Sequence, residues 1–301
     1  MILWTGDAPS HSVWDSSDHE ATDVIHFFTS LMKNKFNYTI PIYPAIGNHE
    51  FYPTDLFDPF NQVKNEKTLN ITAYLWKDWI GEEGYNSYVR RGYYTTKHPN
   101  SNLRIISLNT MDCDVLNFNI IKNPTDPNSQ FKWLESVLRQ SEKDGEIVYL
   151  IGHIPPGDST YTSECSKRYN ALSDRFSNII RGHFYGHTHY DEFRTIHEYF
   201  NYTIIAGLIH IAPSLTTYTE KNPQFRVYKV DDKTKIVLDY DQYLLNITKA
   251  NNNPKANPDW EIMYNAKDAF KINNMTDYGR FINITQNLIV RNNSKIRKTH
   301  Q

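Results

Sequence analysis

The 301-residue chain predicts an α/β fold in which two stacked mixed β-sheets are flanked by helices. Three observations carry this expectation. Through residue 191, apolar runs of strand length alternate with amphipathic stretches at helical spacing. From Glu192 onward, strand patterns follow one another. Four short polar motifs each fall directly after an expected strand, at the C-terminal rim where open α/β sheets bind ligands.

The elements are read in chain order. Ile2-Leu3-Trp4 is a short buried strand that delivers Gly6-Asp7. From about Glu20 to Lys33, Val24, Ile25, Phe28, Leu31 and Met32 recur at helical spacing. Ile40-Pro-Ile-Tyr-Pro-Ala-Ile is a strand entering Gly47-Asn48-His49-Glu50, and Tyr74, Leu75, Trp76 and Trp79 mark a short helix. A strand over Leu103–Leu108 precedes a helix over Gln130–Ser141 that carries Phe131, Trp133, Leu134, Val137 and Leu138. The near-continuous apolar strand Ile147–Ile151 is followed at once by Gly152-His153. A second amphipathic helix fits Tyr169–Ile180, and Phe184-Tyr185 leads into Gly186-His187-Thr188-His189. Strands are then expected over Phe193–Ile196, Thr203–Ile211, Phe225–Val230 and Ile236–Tyr240. Beyond about Asn246 the chain is rich in Asn and Lys, with helix-like stretches at Trp260–Phe270 and Gly279–Val290. Residues 1–245 are read as the main domain and 246–301 as a partial C-terminal helical region.

The motifs supply one carboxylate (Asp7), one amide (Asn48) and three imidazoles (His153, His187 and His189). Asp7, Asn48, His153 and His187 stand roughly 40, 105 and 35 residues apart, so only the fold can gather them. A carboxylate has two oxygens and a charge to share, and can bridge two cations. Imidazole nitrogens are borderline donors suited to Zn²⁺, Mn²⁺ or Fe, and an amide oxygen is a weak neutral ligand that leaves the metal electrophilic. Each motif alone is unremarkable, since Gly-Asp is ordinarily a turn. Together and in this order they spell most of a two-metal phosphoesterase centre. His11 stays within one loop of Asp7 and is a candidate to reach substrate; His26, His183, His197 and His210 read as packing or surface residues.

Composition narrows the class. A net charge of -2 carries no polyelectrolyte signature and argues against a nucleic-acid partner. No apolar run reaches the roughly 18 residues of a membrane span, and no leader precedes the first motif. Sequons at Asn37, Asn70, Asn201, Asn246, Asn274, Asn283 and Asn292 exceed the roughly four expected by chance, which favours secretion. Cys113 and Cys165 permit one disulfide or two separate buried thiols.

Longer stretches carry a family resemblance. Leu3-Trp-Thr-Gly-Asp-Ala-Pro-Ser-His, Tyr43-Pro-Ala-Ile-Gly-Asn-His-Glu, Ile151-Gly-His-Ile-Pro-Pro-Gly and Phe184-Tyr-Gly-His-Thr-His-Tyr-Asp-Glu-Phe resemble the acid sphingomyelinase family of the calcineurin-like metallophosphoesterases. Ala212-Pro-Ser-Leu-Thr-Thr-Tyr, Phe225-Arg-Val-Tyr and Tyr243-Leu-Leu-Asn-Ile-Thr-Lys-Ala-Asn are similar too, so the match runs through about residue 270. The resemblance implies a four-layer fold with residues 1–245 as the catalytic domain. It implies two Zn²⁺ ions, with Asp7 bridging, Asn48, His153 and His187 completing one site, and His189 belonging to the other. It further implies that His49 contacts the phosphate and, with His11, protonates the departing ceramide alkoxide while metal-activated water attacks phosphorus in line. Sphingomyelin at a membrane surface is the implied substrate and phosphocholine the released headgroup. A Cys113–Cys165 disulfide, a monomeric state and a secreted or lysosomal location are implied as well.

The chain also departs from the family pattern. No Asp-x-His motif precedes Asp7, and the saposin-like domain and most of the Cys-rich C-terminal region have no counterpart in the 301 residues. The expectation is one complete metal site and one half site holding Asp7 and His189, impaired catalysis, and an unfilled position in the central sheet. Two other readings stand beside it: a nucleotide or other phosphodiester hydrolase, and an inactive metal- or lipid-binding fragment.

Overall fold

A computed structural model describes residues 1–36 and 39–277, leaving aside the side chains of 62–66. The elements are β1 (Ile2–Trp4), α1 (Asp18–Phe36), β2 (Ile42–Pro44), α2 (Gln62–Arg91), β3 (Tyr94–Lys97), β4 (Leu103–Ser107), α3 (Gln130–Lys143), β5 (Ile147–Ile151) and α4 (Ser163–Arg175). They continue with β6 (Ile180–Tyr185), β7 (Glu192–His197), β8 (Ile205–Ile211), β9 (Gln224–Val230), β10 (Val237–Leu245), α5 (Ile247–Asn252), β11 (Trp260–Asn265) and α6 (Ala266–Phe270).

The largest sheet has six strands in the order β3-β4-β5-β6-β8-β7. Its centre, β4-β5-β6-β8, is parallel, and antiparallel β3 and β7 close the two edges. One face packs Ile106, Val148, Leu150, Tyr185, Ile209 and Ile211 against Phe131, Leu134 and Leu138 of α3 and Tyr169 of α4. The opposite face packs Ile105, Tyr149, Ile151, Phe184 and Leu208 against Tyr43 of β2 and Val237 and Tyr240 of β10. This second layer contains the parallel pair β1-β2 and the antiparallel meander β9-β10-β11. The near-continuous burial along β4, β5 and β8 is what a strand covered on both faces requires. The mixed two-layer architecture expected from the sequence is therefore present.

Helices α1 and α2 cover the β2–β3 end. Ala21, Ile25 and Thr29 form the buried face of α1, and Trp76 Nε1 of α2 donates to Thr29 Oγ1 at 3.2 Å. Leu69, Ala73, Trp76 and Ile80 of α2 recur every three or four residues, with Tyr88 about two turns further on, in a core that includes Ile46 and Tyr94. This helix is far longer than the short one expected around Tyr74–Trp79. Polar Thr72 and the glycine at 84 interrupt its apolar stripe in the sequence although both are buried, and Gly81 at φ 72° breaks the helical path.

Three further elements differ from expectation. Helix α4 spans Ser163–Arg175 rather than Tyr169–Ile180; Thr162 Oγ1 caps it, and Ile180 already opens β6. Strand β3 carries no strong pattern and was not expected from the sequence. Trp260–Phe270 is not one helix: Trp260–Asn265 pairs with β10, and only Ala266–Phe270 is helical. Aromatic and β-branched residues at 260–264 satisfy strand packing as readily as helical spacing. The stretch Gly279–Val290 lies outside the described residues.

Cys113 and Cys165 are disulfide-bonded and wholly buried, joining the turn after β4 to α4 across 52 residues. Among the described residues no helix is long and apolar enough to cross a membrane.

Candidate metal centre

Each motif emerges at the C-terminal end of a strand: Asp7 after β1, Asn48 after β2, His153 after β5 and His187 after β6. Because these strands run parallel within their sheets, the four ends meet on one side of the molecule. Two left-handed residues turn the chain there, Gly6 at φ 91° and Asp7 at φ 62°. A Cβ on Gly47 would lie 2.1 Å from Asp7 Oδ1, so only glycine lets these two loops touch.

Asp7, His153 and His187 present donor atoms within 4.8 Å of one another. His153 Nε2 lies 2.9 Å from Asp7 Oδ2, 2.9 Å from Asn48 Oδ1 and 3.2 Å from His187 Nδ1. His153 Nδ1 lies 2.6 Å from the Thr5 carbonyl, which can only accept, so that nitrogen carries the ring proton. Once a cation takes the place of the second ring proton, Nε2 is bare and faces a carboxylate oxygen and an amide oxygen. Asn48 Nδ2 donates to Asp55 Oδ1 at 2.8 Å, which turns its Oδ1 inward. Lone pairs from a carboxylate, an amide and two imidazoles thus point at one another, an arrangement that a cation resolves and a hydrogen bond between neutral partners does not. The donor set fits a divalent ion of borderline hardness.

The electrostatics agree. Burial alone would raise the Asp7 carboxyl, but His153 and His49 outweigh it and hold the pKa well below the ordinary carboxylate value. Burial opposes charge on His153, yet Asp7, the Thr5 carbonyl and Glu50 raise its pKa. The centre therefore attracts positive charge. Burial, reinforced by His153, lowers the His187 pKa to about 4, which leaves that imidazole neutral and free to coordinate. Glu50, the last residue of the second motif, is buried beside them. It accepts from the N–H groups of Asp7, Ala8 and Gly47 at 2.7–3.0 Å and so pins the first two motif loops together.

A second cluster adjoins the first. His49 donates its backbone N–H to Asp7 Oδ1 at 3.0 Å, and its Nε2 lies 4.0 Å from Asp7 Oδ2. The His11 ring stands 4.1 Å from His49 and 5.0 Å from His189, stacked at 4.0 Å on Tyr218. Burial, His49 and His189 together lower the His11 pKa to about 4. His189 Nδ1 lies 3.0 Å from the Tyr218 carbonyl, so its Nε2 is the bare nitrogen, and it stands outside the tight three-residue group. The fold thus gathers Asp7, Asn48, His153 and His187, with His49, His11 and His189 alongside. Tyr218, Asp55, Thr160 and Asp158 take part without having been singled out in sequence. Tyr218 closes the Ala212–Tyr218 segment, whereas Asp158 and Thr160 look like ordinary turn residues. His183 and His210 are buried packing residues away from the centre, and His26 is exposed.

Among the sequons, Asn70 and Asn201 are exposed. Asn246 and Asn274 are half-buried with their Oδ1 atoms capping local turns. Asn37, Asn283 and Asn292 lie outside the described residues.

Residues 1–191 match the model of the calcineurin-like phosphoesterases, and residues 194–300 that of the acid sphingomyelin phosphodiesterase C-terminal region. The chain is 36% identical over 281 residues to a sphingomyelin phosphodiesterase of Bos taurus, covering 91% of this chain and 44% of that one. It is 34% identical over 282 residues to sphingomyelin phosphodiesterase B of Dictyostelium discoideum, covering 92% and 44%. A cyclic GMP-AMP phosphodiesterase of Homo sapiens is 33% identical over 288 residues, covering 91% and 62%. The chain spans less than half the length of the sphingomyelin phosphodiesterases it matches. A dimetal phosphatase from Danio rerio has the same fold, with a TM-score of 0.53 over 80% of this chain and 79% of that one at 14% identity.

Proposed function

Because this chain belongs to the calcineurin-like phosphoesterases, in their acid sphingomyelin phosphodiesterase-like branch, we propose that it hydrolyses sphingomyelin to ceramide and phosphocholine. The observation that carries the reading is the convergence of Asp7, Asn48, His153 and His187 at the strand ends, with inward lone pairs. We assign those four to one cation, and Asp7 with His189 to a second. Zinc is the assigned metal, since imidazole nitrogens dominate the donor set. When bound, the ions supply Lewis acidity that draws charge from phosphoryl oxygens and makes water a nucleophile near neutral pH.

The protein's own groups do the rest. Glu50 and the glycine contacts hold the loops of Asp7 and Asn48 at fixed separation. His49 is assigned to the substrate phosphate and, with His11 beside it, to proton delivery to the ceramide alkoxide. Residues 1–245 form the assigned catalytic domain and 246–301 its appended region. The substrate would be met at a membrane surface by a monomer. The disulfide, the exposed sequons Asn70 and Asn201 and the relatives favour a secreted or lysosomal location.

The cyclic GMP-AMP phosphodiesterase relative supports a second reading, hydrolysis of a nucleotide diester. Metal analysis beside turnover of sphingomyelin micelles and of a nucleotide diester separates the two. The expected result is bound zinc and phosphocholine release, both lost in His153→Ala or Asn48→Ala. Turnover of the nucleotide diester alone would replace the lipid reading. Bound metal without turnover of either would mark a binding protein, and a chain that takes up no metal would end the hydrolase reading altogether.

A further inference from the structure

A chain of polar contacts leads away from His187 into the loop that follows β5. His187 Nε2 lies 3.1 Å from Thr160 Oγ1. The Thr160 hydroxyl and backbone N–H both donate to Asp158 Oδ1 at 3.0 Å. Asp158 Oδ2 accepts from Arg194 Nη2 of β7 at 2.8 Å, and Arg194 Nη1 donates to the Pro156 carbonyl at 3.3 Å. The proton count fixes every direction. A carboxylate only accepts, so the single hydroxyl proton of Thr160 goes to Asp158. Thr160 Oγ1 can then only accept from His187, whose Nε2 must carry the ring proton. Nδ1 is thereby left bare, and it is the nitrogen that faces His153 and Asp7.

We propose that Thr160, Asp158 and Arg194 form a positioning relay that fixes the tautomer and ring plane of His187 and so tightens cation binding at the centre. The proposal rests on the reading of His187 as a metal ligand. An acceptor hydroxyl polarised by a carboxylate draws the Nε2 proton outward and makes Nδ1 a better donor to a metal. The relay is rigidly mounted. Val115 N–H donates to the Thr160 carbonyl at 2.8 Å, Thr162 N–H to the Cys113 carbonyl at 2.8 Å, and Gly157 N–H to Ser166 Oγ at 3.1 Å. The Cys113–Cys165 bridge fastens the same two segments covalently. Partial burial would raise the Asp158 carboxyl, but its bonds to Thr160 and Arg194 outweigh that and keep it ionised. An ordinary turn at 157–160 needs neither the arginine from a distant strand nor the imidazole.

The test is Co²⁺ binding to the purified full chain, followed by competition with a chelator and by the visible spectrum of the Co²⁺-loaded protein. Thr160→Val is expected to weaken Co²⁺ affinity about 10- to 100-fold, the usual effect of removing a ligand's outer hydrogen-bond partner, and to shift the visible bands. Thr160→Ser, which keeps the hydroxyl, restores affinity to within about threefold. Arg194→Met reads the far end of the relay from another strand and is expected to weaken binding by about 10-fold should Thr160→Val fold poorly. Wild-type affinity and spectrum in Thr160→Val and Arg194→Met, with binding weakened in His187→Ala, would overturn the relay and leave the ligand assignment standing. Unchanged binding in His187→Ala itself would overturn the ligand assignment, and the relay with it.

Discussion

Two pairs of histidines on this fold meet opposite fates. His153 and His187 follow β5 and β6; His183 and His210 lie within β6 and β8, and three of the four are almost wholly inaccessible. His153 and His187 have their outer nitrogens committed to Thr5 and Thr160 and their inner nitrogens turned on Asp7. His183 instead meets the Tyr169 hydroxyl at 2.6 Å, His210 stacks on Phe184, and His210 Nδ1 has no hydrogen-bond partner among the described residues. Burial pushes the pKa of each of this second pair down to about 3. Burial by itself thus makes a neutral packing imidazole. A carboxylate at the inner nitrogen and an acceptor at the outer one make a ligand.

The largest expected effect breaks the first pair. His153→Ala or Asp7→Asn should remove metal and activity by more than the roughly 100-fold that losing an outer partner produces, as read by metal analysis and turnover. Gly47→Ala should do the same without touching a ligand, because its Cβ would overlap the Asp7 carboxylate; metal retention at wild-type level would show that the loops give way. His183→Gln, by contrast, should keep its metal.

Removing the disulfide comes next. Cys113→Ser with Cys165→Ser releases a loop with a sequence separation of 52 residues and should lower unfolding stability by about 4 kcal/mol in denaturant titration, while loosening the loop that carries Thr160.

Acid then tests the second pair. Below the ordinary histidine value of 6.5, the unfolded chain protonates His183 and His210, whereas the folded chain resists until about pH 3. Stability is therefore full above about pH 6.5 and falls as pH drops, by about 1.4 kcal/mol per unit for each ring. His210→Leu should remove one ring's share of that slope, about 1.4 kcal/mol per pH unit between pH 6 and 4; an unchanged slope would assign acid sensitivity elsewhere. Tyr169→Phe is the smallest change, removing one buried hydrogen bond for about 1–3 kcal/mol in thermal unfolding with metal content untouched.

Much of this was legible before any coordinates. Strands β1, β2, β4, β5 and β8 are legible because runs such as Ile147–Ile151 are apolar without interruption, and glycine-bearing motifs mark the ends of β1, β2 and β5. Helix α2 was read too short because Thr72 and the glycine at 84 occupy buried positions where a periodic pattern expects apolar side chains. Strand β11 was read as helix because its aromatic residues serve either geometry.

The sequence by itself determined the inventory of ligating groups and their order along the chain, since side-chain chemistry and strand length are local properties. Which nitrogen of each imidazole faces inward, and that Thr160 and Asp158 stand behind His187 while Tyr218 stands behind His189, only the tertiary structure decided. A tautomer is set by whatever acceptor the fold brings to the far side of the ring, and that acceptor lies 148 residues from His153, 27 from His187 and 29 from His189.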